Sequence, residues 1–340
     1  MKIQIHYLLR NFDMIYVEVS KNFTDYLREK IIQDYGSIKA YNRKVSRINY
    51  VTFKWAFQRK KYHNYNRLLK IANSLDIPEE DVSKEIKGFY HWGSHRKQGL
   101  KIPKNIALND FFVEGYALYL AEGDTGFNGK KKPRKLRFTN SELCVIKHYM
   151  NWLDNFFTDC PYSVNVVFPE NMKLSEECKK KIIKKLSLNK EKVRFSRGYH
   201  NKQIKYRVCL DQAIIIDLVL TLEETIKEAT KNNEKLAAAY VRGMMIGEGT
   251  AYCNRSKYVR IEMKNQKEID FISELLDILA IQYKKKCRSN REGMWSLYIG
   301  GRENIKRYSR VIGFGVHKKR QDILDKIVNT EKKLGILPKQ

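Results

Sequence analysis

Read for its alternation of apolar and polar positions, the chain divides into a helical opening and a longer mixed stretch. From Asn22, Phe23, Tyr26, Leu27 and Ile31 recur at helical spacing, and Gly36 is a suitable stop. Ser37 then caps a short helix through Val45, and Asn49 caps another over Tyr50 to Arg59. Leu68, Leu69, Ile71, Ala72 and Leu75 predict a further helix over Tyr65 to Ser74, closed by Asp76-Ile77-Pro78. Residues 1–21 are unassigned except for a strand-like piece from Met14 to Val19. Residues 91–107, with Gly93, Ser94, Gly99 and Pro103, read as a linker.

Beyond the linker one run occurs twice. Ala117-Leu118-Tyr119-Leu120-Ala121-Glu122-Gly123 is matched by Gly243-Met244-Met245-Ile246-Gly247-Glu248-Gly249. On a helix, positions four apart share a face, so Ala117 with Ala121, and Gly243 with Gly247, form smooth strips along which two backbones can approach. A strand follows each run. In the first, Leu136 and Phe138 lie on one face and Lys135, Arg137 and Thr139 on the other; in the second, Val259, Ile261 and Met263 oppose Arg260, Glu262 and Lys264. Glu122 precedes Asn140 by 18 positions and Glu248 precedes Asn265 by 17, so the registers agree.

An amphipathic helix comes next in each half, Leu143 to Phe157 and Ile269 to Ala280. Two strands then follow. In the second half they are Ile281 to Arg288, with Lys284, Lys286 and Arg288 on one face, and Met294 to Ile299. The expected counterparts are Val193 to Arg197 and Ile204 to Leu210, the latter with Lys205 and Arg207 on its polar face. Met294 lies 45 positions after Gly249, but Ile204 lies 81 after Gly123, so the first half carries an insert of about 36 residues, placed near 160–190. The expected domains are 22–90, 108–230 and 231–340.

Charge narrows the partner. With 66 Lys and Arg against 38 Asp and Glu, a net +28 exceeds what solubility needs and points to a polyanion, first of all nucleic acid. The six cysteines show no Cys-x-x-Cys spacing, which argues against a zinc ribbon or a disulfide scaffold. No run of 18 apolar residues and no signal-peptide pattern is found, so the expectation is a soluble cytoplasmic protein without membrane contact.

The acid closing each repeated run carries the chemistry. A helix C-terminus already bears partial negative charge, and a carboxylate there needs a cation to offset it; two such acids side by side suggest a divalent metal. These segments resemble the two LAGLIDADG motifs of single-chain homing endonucleases. The resemblance covers about residue 108 onward, and Ala117 departs from the usual small glycine at its motif position. It implies an α+β fold of two pseudo-twofold-related αββαββα repeats forming a DNA-binding saddle. It also implies a monomer with internal symmetry that cuts double-stranded DNA, with Glu122 and Glu248 as metal ligands and catalytic acids, and Mg²⁺ or Mn²⁺ as cofactor. Lys205, Lys284 and Lys286 are the matching candidates for basic residues supporting the phosphate charge.

On the strand faces, Lys135, Arg137, Thr139, Lys205, Arg207, Arg260, Glu262, Lys264 and Arg288 are the candidate DNA contacts. Arg137, Arg207, Arg260 and Lys264 are the side chains expected to reach base edges in the major groove, where arginine can donate bidentately to guanine. The N-terminal helices resemble the lambda-repressor and Cro type of helix-turn-helix domain, small and all-α. In such a domain the N-terminal part of the second paired helix meets base edges, which here implies Tyr50, Thr52 and Lys54. Two other functions compete. WhiA-type regulators also join a LAGLIDADG fold to a helix-turn-helix but lack the acids, and some relatives are RNA splicing maturases, which makes RNA the weaker alternative partner.

Overall fold

The pairing of two helices organises the larger part of the molecule. Asp110–Glu122 (α1) begins at Asn109, whose side chain accepts from the Phe112 amide, and ends at Gly123. In a computed structural model that describes residues 1–333 other than 48, 59–61, 93–98, 125–135, 159–160, 200 and 290, without the side chains of 52, 55, 56, 58, 124 and 330–333, this helix lies against a second one, Glu234–Glu248. The chain forms two compact units, residues 2–107 with 156–160, and residues 1, 108–155 and 161–340.

In the larger unit, α1 leads into Gly123–Asp124 (β1), Leu136–Asn140 (β2) and Leu143–Phe156 (α2). Then come Ser163–Pro169 (β3), Glu176–Leu186 (α3), Val193–Gly198 (β4), Lys205–Leu210 (β5), Ala213–Thr221 (α4) and Glu223–Lys231 (α5). The second helix of the pair (α6) opens the same order again. It is followed by Gly249–Cys253 (β6), Lys257–Met263 (β7), Gln266–Ile278 (α7), Lys284–Cys287 (β8), Trp295–Gly300 (β9), Arg302–Val311 (α8) and Lys318–Lys333 (α9). The first sheet runs β4-β3-β5-β2-β1 and the second β6-β7-β9-β8.

Alternation decides which face each sheet buries. Leu136, Phe138, Val208 and Leu210 are buried on one side of the first sheet, as are Val259, Ile261, Leu297 and Ile299 in the second. α2 covers the first of these faces through Tyr149, whose ring stacks on Phe138 at 4.1 Å. The polar positions are left on the opposite face.

The insert falls elsewhere than its spacing suggested. β3 pairs antiparallel with β5 just as β8 pairs with β9, so Ser163–Pro169 holds the place expected for Val193 to Arg197. The additional segment is α3 with β4, and β4 adds to β3 in parallel at the sheet edge. Both stretches are apolar enough for a strand, and only long-range pairing separates them.

The smaller unit is mixed rather than all-α. Tyr62–Asn64, Ile15–Val19, Ile86–His91 and Leu100–Ile102 form a four-stranded antiparallel sheet in that order, and Lys2–Gln4 pairs with Asn105–Ala107. The period of two is the cause: Ile15, Val17 and Val19 are buried on one face, and Leu100 and Ile102 are buried within the segment expected to be a linker. The helical signals hold locally. Gly36 ends Lys21–Tyr35 at φ +75°, Ser37 accepts from the Ala40 amide, and Asn49 accepts from the Val51 amide. The helix expected through Val45 instead turns at Tyr41 into a π-helical stretch, Asn42–Ser46. Tyr50–Gln58 buries Phe53 and Phe57 and exposes Lys54. Among the described residues no helix is long and apolar enough to cross a membrane.

Candidate active site and nucleic-acid interface

The site is built on the closeness of α1 and α6. A Cβ at Gly243 would stand 2.2 Å from the Glu114 carbonyl oxygen and 2.8 Å from the Ala117 Cβ; one at Gly247 would stand 2.5 Å from the Ala121 Cβ. Only glycine permits that approach, and the strips Ala117/Ala121 and Gly243/Gly247 therefore face one another. Toward the other end of the pair, Arg242 of α6 donates to Glu114 of α1 at 2.8 Å, and His148 of α2 holds the same carboxylate at 2.8 Å. Glu114 is buried; its desolvation is outweighed by these two partners, which hold its carboxyl below the ordinary range.

Glu122 and Glu248 are the last residues of α1 and α6. Burial, reinforced by the charge of Glu248, pushes the Glu122 carboxyl up to about 7, against the pull of Arg320, Lys205 and an Asn140 amide that donates to it at 3.1 Å. Glu248 is the more exposed acid; desolvation raises its carboxyl and Arg320 opposes the rise. A cavity of about 650 Å³ opens beside Glu122, lined among others by Thr139, Asn140, Lys205, Arg207, His317 and Arg320.

Arg320 comes from the start of α9. Its Nη1 donates to the carbonyls of Met245, Ile246 and Gly247 at 2.9, 2.6 and 2.8 Å, so a guanidinium caps the last turn of α6 and offsets its terminal partial charge. Both acids act on that guanidinium electrostatically, while burial pulls its basicity down. Neighbouring His317 is buried and pushed down to about 4, first by desolvation and then by Arg320, so its ring is neutral at physiological pH.

The register sorts the remaining candidates. Thr139 pairs with Arg207 and Arg137 with Cys209, and Arg207 donates to the Thr139 hydroxyl at 3.1 Å. In the second sheet Arg260 pairs with Tyr298 and Glu262 with Ser296, while Lys284 and Lys286 lie opposite the same two partners from β8. Glu262 accepts from Arg260 at 2.9 Å and from Arg288 at 2.7 Å, and both arginines reach the Tyr298 hydroxyl. These arginines are held in place before any ligand arrives. Lys264 is exposed just beyond β7.

Lys205 stands at the cavity with Glu122, as its charge on that acid shows. Lys284 and Lys286 take a different position. They occupy the outer strand of their sheet, at the places that Ser163 and Asn165 take in the first, and the register puts Met294 where Lys205 stands. Alternation alone could not reveal this, since lysines on either strand share the polar face. Lys135 lies outside the described residues, and the Thr52 side chain is likewise not described. Sequence reading missed Arg320, His317 and the Arg242–Glu114 pair. Of these only Arg320 left a mark in the sequence, as the end of a basic run, Lys318-Lys319-Arg320, far along the chain from both acids.

Two neighbouring carboxylates, one of them pushed toward protonation by burial and then by the charge of the other, form an oxygen donor set only partly offset by Arg320 and Lys205. Such a set suits a hard divalent cation completed by oxygens of another molecule. Among the described residues no group of three or more His, Cys, Asp or Glu side chains converges as a self-sufficient metal cage.

Comparison with known proteins places part of this architecture. Residues 235–313, from α6 through α8, match the family model of the LAGLIDADG-like domain. No curated protein matches the chain in sequence. Among solved structures, mesophilic variants of the homing endonuclease I-DmoI are 14% identical, with a TM-score of 0.39, over 60% of this chain and 97% of that one. I-DmoI in complex with DNA and Mn is 15% identical, with a TM-score of 0.38, over 61% and 98%. Full-length DUF199/WhiA from Thermatoga maritima is 14% identical, with a TM-score of 0.40, over 66% and 62%.

Proposed function

We propose that the protein is a site-specific, metal-dependent endonuclease of the LAGLIDADG homing type that cuts both strands of duplex DNA. The observation that carries this reading is the pair Glu122 and Glu248, delivered to one centre by two helices whose packing only small residues allow. In this reading the two αββαββα halves are pseudo-twofold repeats of a single-chain monomer, and their polar sheet faces form the saddle on DNA. Arg137, Thr139, Lys205 and Arg207, together with Lys135, act on one half-site, and Arg260, Glu262, Lys264 and Arg288 on the other. The preset arginines contact base edges and phosphates, so binding weakens steeply with salt.

Glu122 and Glu248 would hold Mg²⁺ or Mn²⁺ together with phosphate oxygens, and the metal when bound would activate water and stabilise the leaving oxygen. Asn140 orients the Glu122 carboxylate, and Lys205 supplies a positive charge at the cavity where a phosphate would lie. The smaller unit adds DNA contacts through Tyr50, Thr52 and Lys54 at the start of its helix.

The test is to select bound duplexes from a random library and ask whether the full chain cuts them in Mg²⁺ and not in EDTA. A second reading, a DNA-binding regulator of the WhiA kind, is favoured by Arg320, a fixed cation in the field of both acids that lowers their need for a metal. Tight binding without cutting in Mg²⁺ or Mn²⁺ would select it.

A further inference from the structure

The two sheets differ in one respect that their shared element order does not require. The first has a fifth strand, β4, beyond the place where the second sheet ends. The chain reaches it by a parallel crossover: β3 leads into α3, and β4 returns alongside β3 with Val193 opposite Val164 and Gly198 opposite Pro169.

Residues paired across strands share a face, so the registers define a transverse row on the polar side. Thr139 of β2 faces Arg207 of β5, Arg207 faces Asn165 of β3, and Asn165 faces Arg194 of β4. Ser196, the next β4 residue on that side, donates to the Asn165 side chain at 3.1 Å. The crossover helix lies on the other side, where the Lys179 ammonium sits 5.8 Å from the centre of the Phe195 ring. Arg194 is exposed, and its row contains no acid. In the second sheet the corresponding row is Glu262, Ser296 and Lys286, and it stops there.

We infer that β4 lengthens the DNA-reading surface of the first sheet, so that the target is asymmetric, with one half-site extended at its outer end and read there by Arg194. This rests on the reading of the sheet faces as a duplex-binding surface. The strand order gives the direction: β1 follows Glu122, and β4 is the strand farthest from it. One added strand widens the sheet by about 4.8 Å. With a base-pair rise of about 3.4 Å, the added reach is one to two base pairs.

The test uses the full chain and a random-sequence duplex library, with wild type, Arg194→Ala, Arg194→Lys and, for the other sheet, Arg260→Ala. Hydroxyl-radical footprints of the selected duplex should extend one to two base pairs farther from the cut centre on one side only. Arg194→Ala should lose base preference at that outer position, by roughly 5- to 100-fold, and nowhere else. Arg194→Lys keeps the charge at the sheet edge but not the bidentate fork, and should also lose the preference while retaining most affinity. Arg260→Ala should relax a position in the opposite half. A symmetric footprint, or unchanged preferences in both Arg194 variants with duplex still bound, would overturn the inference and leave the endonuclease reading standing. Failure of the wild type to bind any duplex would remove both.

Discussion

The guanidinium of Arg320 is bonded to the carbonyl of Gly247 at 2.8 Å, one residue before the acid Glu248. Two further bonds, to Met245 and Ile246, leave it little freedom, so a permanent cation stands in the field of Glu122 and Glu248. Removing it should strengthen divalent binding in the absence of DNA. In Arg320→Gln the affinity for Mg²⁺ or Ca²⁺, read from the metal-dependent rise in melting temperature, is expected to increase by on the order of tenfold, since about 1.4 kcal/mol of relieved repulsion suffices. An unchanged or weaker metal response would show that Arg320 does not act on the acid pair.

Glu122 links stability to pH. Its carboxyl rises from 4.5 to about 7 on folding, so between these values the folded chain holds more protons than the unfolded one. Stability is therefore fully present below about 4.5 and falls as pH climbs through 7, by at most on the order of 3 kcal/mol. Glu122→Gln escapes this loss. In EDTA, its melting temperature should gain on the wild type by several degrees between pH 5 and 8, and added Mg²⁺ should close the gap by stabilising the wild type alone. Parallel profiles for the two proteins would refute this.

The helix pair tolerates little added volume. Gly243→Ala places a methyl against the Glu114 carbonyl of α1, with no flexible neighbour to give way, and should cost about 3 kcal/mol or more. Gly300→Ala meets nothing within 4 Å and should stay within roughly 0.5 kcal/mol of wild type. Urea unfolding of the two variants gives the comparison directly.

Arg242 and Glu114 form an ion pair between α1 and α6, with the carboxylate buried. Arg242→Met leaves that charge with His148 as its one remaining partner of the two, and is expected to cost about 3–5 kcal/mol. The double variant Arg242→Met, Glu114→Met should recover most of the loss. A double variant no more stable than the single one would mean that the arginine acts chiefly through its bonds to the Val311 and Ile312 carbonyls.

What could be read in advance follows from the range of the interaction concerned. Ala117/Ala121 and Gly243/Gly247 were legible because helical spacing alone puts each pair on one face, and the packed strips agree. The polar faces of β2, β5 and β7 were legible for the same local reason, a period of two. The partner of β5 was not: Val164 to Phe168 and Val193 to Arg197 are equally strand-like, and the choice rests on a pairing made across α3. The small unit's sheet was missed because caps such as Ser37 and Asn49 are strong local signals, while Ile15–Val19 finds its partners some 45 and 70 residues away. Arg320 reaches Gly247 across more than seventy residues, a contact with no local mark.

The measurement that bears most directly on the central claim is cleavage of supercoiled plasmid carrying the selected site, with wild type, Glu122→Gln, Glu248→Gln and the double variant, each first matched for duplex binding in Ca²⁺. Wild type in Mg²⁺ should give linear DNA, each single variant should lose double-strand cutting, and the double variant should leave the plasmid intact while binding as before. Linearisation by the double variant at the wild-type rate would contradict the account, because the two acids would then have no part in the chemistry.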